Sequence, residues 1–177
     1  VIWPCMLMAA GLAPPKKIFA HGWWTIEGKK ISKSTGVVVY PREVVERYGL
    51  DQFRYFMLRE IPFGLDGDFS YRALAGRINS ELADDLGNLL SRTLGMAGKY
   101  FEGFVPRSPE NRGPELREAA SGLFDAIDAE LDHLAFSRAL EAIWDVIRKS
   151  NKFVEEQKPW VLKKDGETEK LGAVLYT

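Results

Sequence analysis

The sequence predicts a mostly α-helical chain, with a small strand-and-loop portion at the front and a bundle of antiparallel helices behind it. Three observations predict this. From Ser70 onward, Leu74, Ile78, Leu82, Leu86, Leu89 (or Leu90) and Leu94 recur at about every three or four positions, the period of a helix with one buried face. Pro41, Gly49, Pro62 and Pro159 fall where helices start or stop. Glu27-Gly28 stands between two short apolar runs, which marks a hairpin turn.

The elements follow in order. The opening apolar run, Ile2 to Ala13, reads as a buried helix with Gly11 near its end. It has no basic leader and is too short to span a bilayer. Lys17 to His21 reads as a buried strand, and the residues around Glu27-Gly28 as a hairpin leading into the polar loop Ser32 to Gly36. A short helix starts near Pro41 and stops at Gly49; a second, capped by Asp51, ends before Pro62. Phe63 to Asp68 is rich in turn residues and reads as a joint. One long helix then runs from Ser70 to about Tyr100, and a loop spans Pro106 to Pro114. A second long helix carries Leu116, Leu123, Ile127, Leu131 and Leu134, and a third carries Leu140, Ile143, Trp144, Ile147 and Val154. Pro159 interrupts, and a last helix begins near Glu167. Short connections make these antiparallel neighbours in a bundle.

Composition narrows the function. The 177 residues are 46% hydrophobic and 28% charged, enough for one substantial core or two small ones. With 24 Lys and Arg against 25 Asp and Glu, no basic excess marks a nucleic-acid binder, so RNA contact must come from local groups. Cys5 is the single cysteine; it excludes an internal disulfide and a multi-cysteine metal site, and it fits a reducing cytoplasm. The chain starts at Val1 rather than Met and stops inside a helical pattern, so it reads as a fragment.

Lys30-Ile31-Ser32-Lys33-Ser34 places two lysines three apart among serines on a loop. Ammonium groups, hydroxyls and backbone N–H groups together suit a polyphosphate, although such stretches are more often solvated loops. The segment resembles the "KMSKS" signature of class I aminoacyl-tRNA synthetases, with Ile31 in place of methionine. The run Phe19 to Lys30, the run Tyr48 to Phe56, and Asp66-Gly67-Asp68-Phe69-Ser70 before a long helix resemble the methionyl family in particular. One departure is Val37, where an Asn usually follows the glycine.

The resemblance implies that residues 1–36 form the end of a Rossmann-type α/β nucleotide-binding catalytic domain. Residues 37–69 would be a stem-contact region, and residues 70–177 a truncated anticodon-binding helix bundle. It implies that the loop closes over ATP and its accompanying Mg²⁺, with Lys30 and Lys33 as catalytic cations that stabilise pyrophosphate. His21, Lys30, Ser32, Lys33 and Ser34 would contact ATP. On residue type alone, a histidine at the end of a strand is more often structural.

A second constellation lies in the bundle. Asn88 and Arg92 are four apart and share a helix face, Gly87 beside them would let another backbone approach, and Trp160 follows a helix-breaking Pro159. Planar, hydrogen-bonding and stacking groups suit unstacked RNA bases. Residues of these types more often satisfy helix ends and fill a core. Asn88-Leu89-Leu90-Ser91-Arg92 and Glu156-Gln157-Lys158-Pro159-Trp160 resemble the two segments with which methionyl-tRNA synthetases recognise the methionine anticodon. On that resemblance Asn88 and Arg92 hydrogen-bond anticodon bases and Trp160 stacks on one.

The implied partners are tRNA(Met), initiator tRNA included, with methionine and ATP; no membrane and no zinc are expected. The implied reaction forms methionyl-adenylate and then methionyl-tRNA. Because the amino-terminal half of the nucleotide-binding fold is missing from the resemblance, the chain alone is expected not to activate methionine. The alternatives are another synthetase of the same class and a non-catalytic tRNA-binding or scaffold module that reuses the bundle.

Overall fold

The structure, a computed structural model, describes residues 2–31, 38–107 and 112–177. Helix α1 (Ile2–Ala9) gives way at Gly11, whose φ of 73° is left-handed. Its Ile2, Trp3, Met6 and Met8 are exposed, as are Ile18 and Phe19 farther on.

The buried strand expected over Lys17–His21 is not there. These residues are exposed and join no ladder. Strand backbone needs a partner for its N–H and C=O groups, and the sheet of the described residues is complete without them, in the order β2-β1-β3. Side chains tie the segment down instead. Lys17 Nζ donates to the Asp132 carbonyl at 3.2 Å, and Phe19 stacks on Phe63 at 5.0 Å between centroids.

The hairpin is as expected. β1 (Trp24–Ile26) pairs antiparallel with β2 (Lys29–Lys30), Thr25 opposite Lys30. Glu27 and Gly28 have φ of 48° and 73°, the two left-handed positions of a type I′ turn. The joint expected over Phe63–Asp68 is in part a strand: β3 (Gly67–Phe69) runs parallel to β1, Thr25 beside Asp68. Three residues are too few to show a two-residue period, which is why the strand was hidden. Gly67 leaves little room there: a Cβ would force the tip of the Ile61 side chain aside and reach 3.1 Å from the Trp24 ring.

Against this sheet pack α2 (Pro41–Tyr48) and α3 (Leu50–Arg59), separated by Gly49 at φ 94°. Asp51 does not cap α3, because Gly49 holds the cap position. Asp51 lies in the first turn, where its charge suits the helix dipole and faces Arg54 at 3.8 Å. Val44, Phe56, Phe69 and Leu74 form the core, with Trp24, Val39 and Phe53 packed around it. Phe56 meets Phe69 edge-on at 5.7 Å. Burial of each such side chain contributes about 1.5–3 kcal/mol.

The long helix from Ser70 is continuous but not uniform. Ser70 Oγ accepts from the Ala73 N–H at 3.1 Å and caps α4 (Tyr71–Arg77). A π-helical segment, Ile78–Gly87, leads into α5 (Asn88–Phe101). The second long helix is broken at Gly122 into α6 (Pro114–Ser121) and α7 (Leu123–Asp132). α8 (Phe136–Gln157) is the third. The break at Pro159 is itself a short helix, α9 (Pro159–Lys164): Lys158 turns the chain at φ 45°, and Pro159 then occupies the first helical position. α10 (Thr168–Tyr176) closes the chain. α8 runs beside the α4–π–α5 helix in the same direction, for Asn151 meets Asp85 at 3.0 Å and Glu155 meets Arg92 at 2.7 Å.

Candidate functional site

At the sheet end, the hairpin is held from below by acids. Asp66 Oδ1 accepts from the Trp23 N–H at 2.7 Å. Asp68 Oδ1 accepts from the Thr25 hydroxyl at 2.6 Å and from the Gly28 N–H at 2.8 Å. The Thr25 hydroxyl first, and then the Gly28 amide, hold the Asp68 carboxyl below the usual aspartate range. Lys30 closes β2 with its side chain in solvent. Ser32, Lys33 and Ser34, the remaining residues of the lysine–serine loop, lie outside the described residues.

His21 is exposed. Its Nδ1 lies 2.9 Å from the Gly22 carbonyl, and its ring stacks on Phe63 at 5.7 Å. Trp23 is 79% exposed, whereas Trp24 lies half-buried on Phe56 at 6.4 Å, so only the second tryptophan packs.

In the bundle, Asn88 opens α5 with its side chain exposed. Its N–H reaches the Ala83 carbonyl five residues back, the spacing of a π turn; such turns often accompany functional sites. The Gly87 expectation fails in one respect. A Cβ there would meet the Leu82 carbonyl of its own helix at 3.0 Å, not a neighbouring element.

One turn beyond Asn88, Arg92 is half-buried. It ion-pairs with Glu155 at 2.7 Å and places its guanidinium carbon 5.5 Å from the centre of the Trp160 ring. Trp160 is 40% exposed at the start of α9. The fold therefore brings Arg92 and Trp160 together from opposite ends of the bundle sequence. Neither Glu155 nor Asn151, which donates to the Asp85 carbonyl, stands out in the sequence. The signal was their spacing of four on α8, which puts both on the face that meets the first long helix.

A third cluster stands between the sheet and the bundle. The Tyr55 hydroxyl donates to Glu81, and Arg59 reaches both Glu81, at 3.2 Å, and Glu141. Arg77 binds Glu60 at 2.7 Å and Glu81 at 2.9 Å. Burial, then the hydrogen bond to Glu81 and its charge, push the Tyr55 phenol well up. Among the described residues, no three or more His, Cys, Asp or Glu are grouped to hold a metal ion. No helix among them is long and apolar enough to cross a membrane.

Comparison with known sequences shows the class of protein. Residues 1–94 match the family described as tRNA synthetases class I (M), and the chain belongs to that family. Its relatives carry one particular name. The methionine–tRNA ligase of Caldanaerobacter subterraneus is 53% identical over 179 residues, and that of Thermotoga maritima 48% identical over 178. Each match covers 99% of this chain but 28% of the relative. Among solved structures, Mycobacterium tuberculosis methionyl-tRNA synthetase in complex with methionyl-adenylate is similar with a TM-score of 0.92 at 42% identity, over 99% of this chain and 36% of that one. The free form of the same enzyme is similar with a TM-score of 0.87 at 40% identity.

Proposed function

We propose that this chain is the part of a methionine–tRNA ligase that settles the pyrophosphate of ATP and checks the anticodon of tRNA(Met), initiator tRNA included. Residues 1–36 contribute to the nucleotide-binding catalytic domain, residues 37–69 connect it to the tRNA stem side, and residues 70–177 are the anticodon-binding bundle. The parent reaction has two steps. The methionine carboxylate attacks the α-phosphorus of ATP, giving methionyl-adenylate and pyrophosphate. The methionyl group then passes to the terminal ribose of the tRNA, releasing AMP.

In the first step negative charge grows on the leaving pyrophosphate. Lys30 and Lys33 offset it where Mg²⁺ accompanies ATP, with Ser32 and Ser34 donating from the same loop. His21, by the same resemblance, contacts the nucleotide. Zinc has no part in these residues' work. In the bundle, Asn88 and Arg92 hydrogen-bond base edges, and Trp160 offers a ring for stacking.

The observation that carries this reading is the Arg92–Trp160 contact beside Asn88. A guanidinium and an indole, both partly open to solvent, meet at 5.5 Å. The test is binding of the chain to initiator tRNA with a CAU anticodon, against the same tRNA with that anticodon changed, at one fixed salt concentration. A preference of more than about tenfold, or ~1.4 kcal/mol, that disappears in Trp160→Ala is the expected result. Equal binding to the two RNAs, or none to either, would sink the anticodon assignment.

A further inference from the structure

Glu81 is 6% exposed and lies on the π segment. Its carboxylate receives the Tyr55 hydroxyl and Arg59 from α3, and Arg77 from α4. Arg59 continues to Glu141 on α8, and Glu141 holds Arg148 at 2.5 Å. Beside this chain of contacts, the Tyr55 ring lies 4.7 Å from that of Trp144. One buried acid thus organises polar contacts among α3, the α4–π helix and α8.

Stability alone is a poor reason for such an arrangement. Removing these charges from water costs about as much as their pairing returns, and the better-attested use of buried ionic groups is to single out one packing arrangement. The Tyr55–Trp144 contact could slide, because dispersion has no direction. The Arg59 Nη2, which donates to Glu81 and to Glu141, cannot, since its N–H bonds lie in the guanidinium plane and fix both distance and angle.

We propose that Glu81 is a positioning residue: through Arg59 and Glu141 it locks α3 to α8 at one angle, and so sets the distance from the β1–β2 hairpin to the Arg92–Trp160 pair. What the lock serves, two contacts with one RNA, rests on the function proposed above; the lock itself does not.

The experiment uses the whole 177-residue chain with Cys5→Ser. Spin labels are placed at Lys29→Cys on β2 and Lys149→Cys on α8, and the distance between them is read by pulsed dipolar spectroscopy. The parent chain should give one narrow distance, and Glu81→Gln at least a doubled width at unchanged helicity by circular dichroism. An unchanged width in Glu81→Gln, or a broad distribution in the parent, overturns the proposal. If Glu81→Gln does not fold, Arg59→Lys keeps the cation without the planar guanidinium and is judged by the same width. The readout contains no RNA. Failure of Asn88→Ala and Trp160→Ala to weaken RNA binding would sink the anticodon reading and leave the lock standing.

Discussion

Arg92 and Trp160 are 68 positions apart in sequence, yet the guanidinium carbon lies 5.5 Å from the indole ring centre. Glu155 holds the same guanidinium at 2.7 Å. An exposed cation–π contact is worth about 0.5–1 kcal/mol, so this pair does little for folding. On the function proposed above, its value is to present a flat, charged face.

Trp160→Ala is therefore expected to separate binding from stability. Loss of a stacking platform should weaken binding of CAU-bearing RNA by about 1–3 kcal/mol. Urea unfolding should move by less than about 1 kcal/mol. Parallel titration and denaturation of one preparation check both; a large stability loss with unchanged binding would make the indole a packing residue.

The sheet-side core should behave in the opposite way. Phe56 is fully buried between Trp24 and Phe69, and Phe56→Ala should cost about 3–5 kcal/mol. Trp3→Ala, at a side chain 73% exposed, should shift the unfolding midpoint of this chain hardly at all. Chemical denaturation of the two variants tests the contrast.

Gly22 makes a sharper case. A Cβ on it would fall on the Leu65 carbonyl group and the Asp66 nitrogen, backbone that cannot swing aside as a side chain can. Gly22→Ala should destabilise by at least the roughly 1–3 kcal/mol of an overpacked site. It should also remove the hydrogen bond from the Gly67 N–H to the Trp23 carbonyl, now 2.7 Å, which amide exchange at Gly67 would report.

The pattern of success and failure in the sequence follows from what each signal measures. Pro41 and Gly49 bracket α2 because both act through their own φ. The long helix from Ser70 was legible in its leucines, but a π segment keeps an apolar stripe and leaves no mark in composition. β3 went unseen because its three residues owe their strand conformation to Trp24, Thr25 and Ile26, more than forty positions earlier. The Lys17–His21 error is the converse: β-branched and aromatic residues make a strand only where another strand needs them. Asn88, Arg92 and Trp160 are singled out by resemblance alone, and the contact of Arg92 with Trp160, like those of Glu155 and Asn151, required knowing which face of α8 meets the first long helix.

Asp68 links the hairpin to acidity. Its carboxylate is favoured by the Thr25 hydroxyl and the Gly28 amide, so its folded value lies below the ordinary aspartate value of about 3.9. A lowered value means that this contribution is fully present above the ordinary value and is lost as pH falls through the lowered one. The Gly28 amide resonance should therefore titrate with a midpoint below about 3.9. The same resonance should not follow that titration in Asp68→Asn. A midpoint at or above the ordinary value would mean that the hairpin does not draw on this charge.

The parallel pairing of β1 with β3 also dictates an order of assembly. The β1–β2 hairpin spans a two-residue turn and can close as soon as it is made. β3 must wait for some forty residues, including both helices α2 and α3, to emerge and collapse before its edge of β1 is reachable. The acids that brace the hairpin, Asp66 and Asp68, arrive with that late strand. The front of this chain therefore completes its shape only after its middle has folded, and the β1–β2 hairpin is braced from behind by the last of the described strands to arrive.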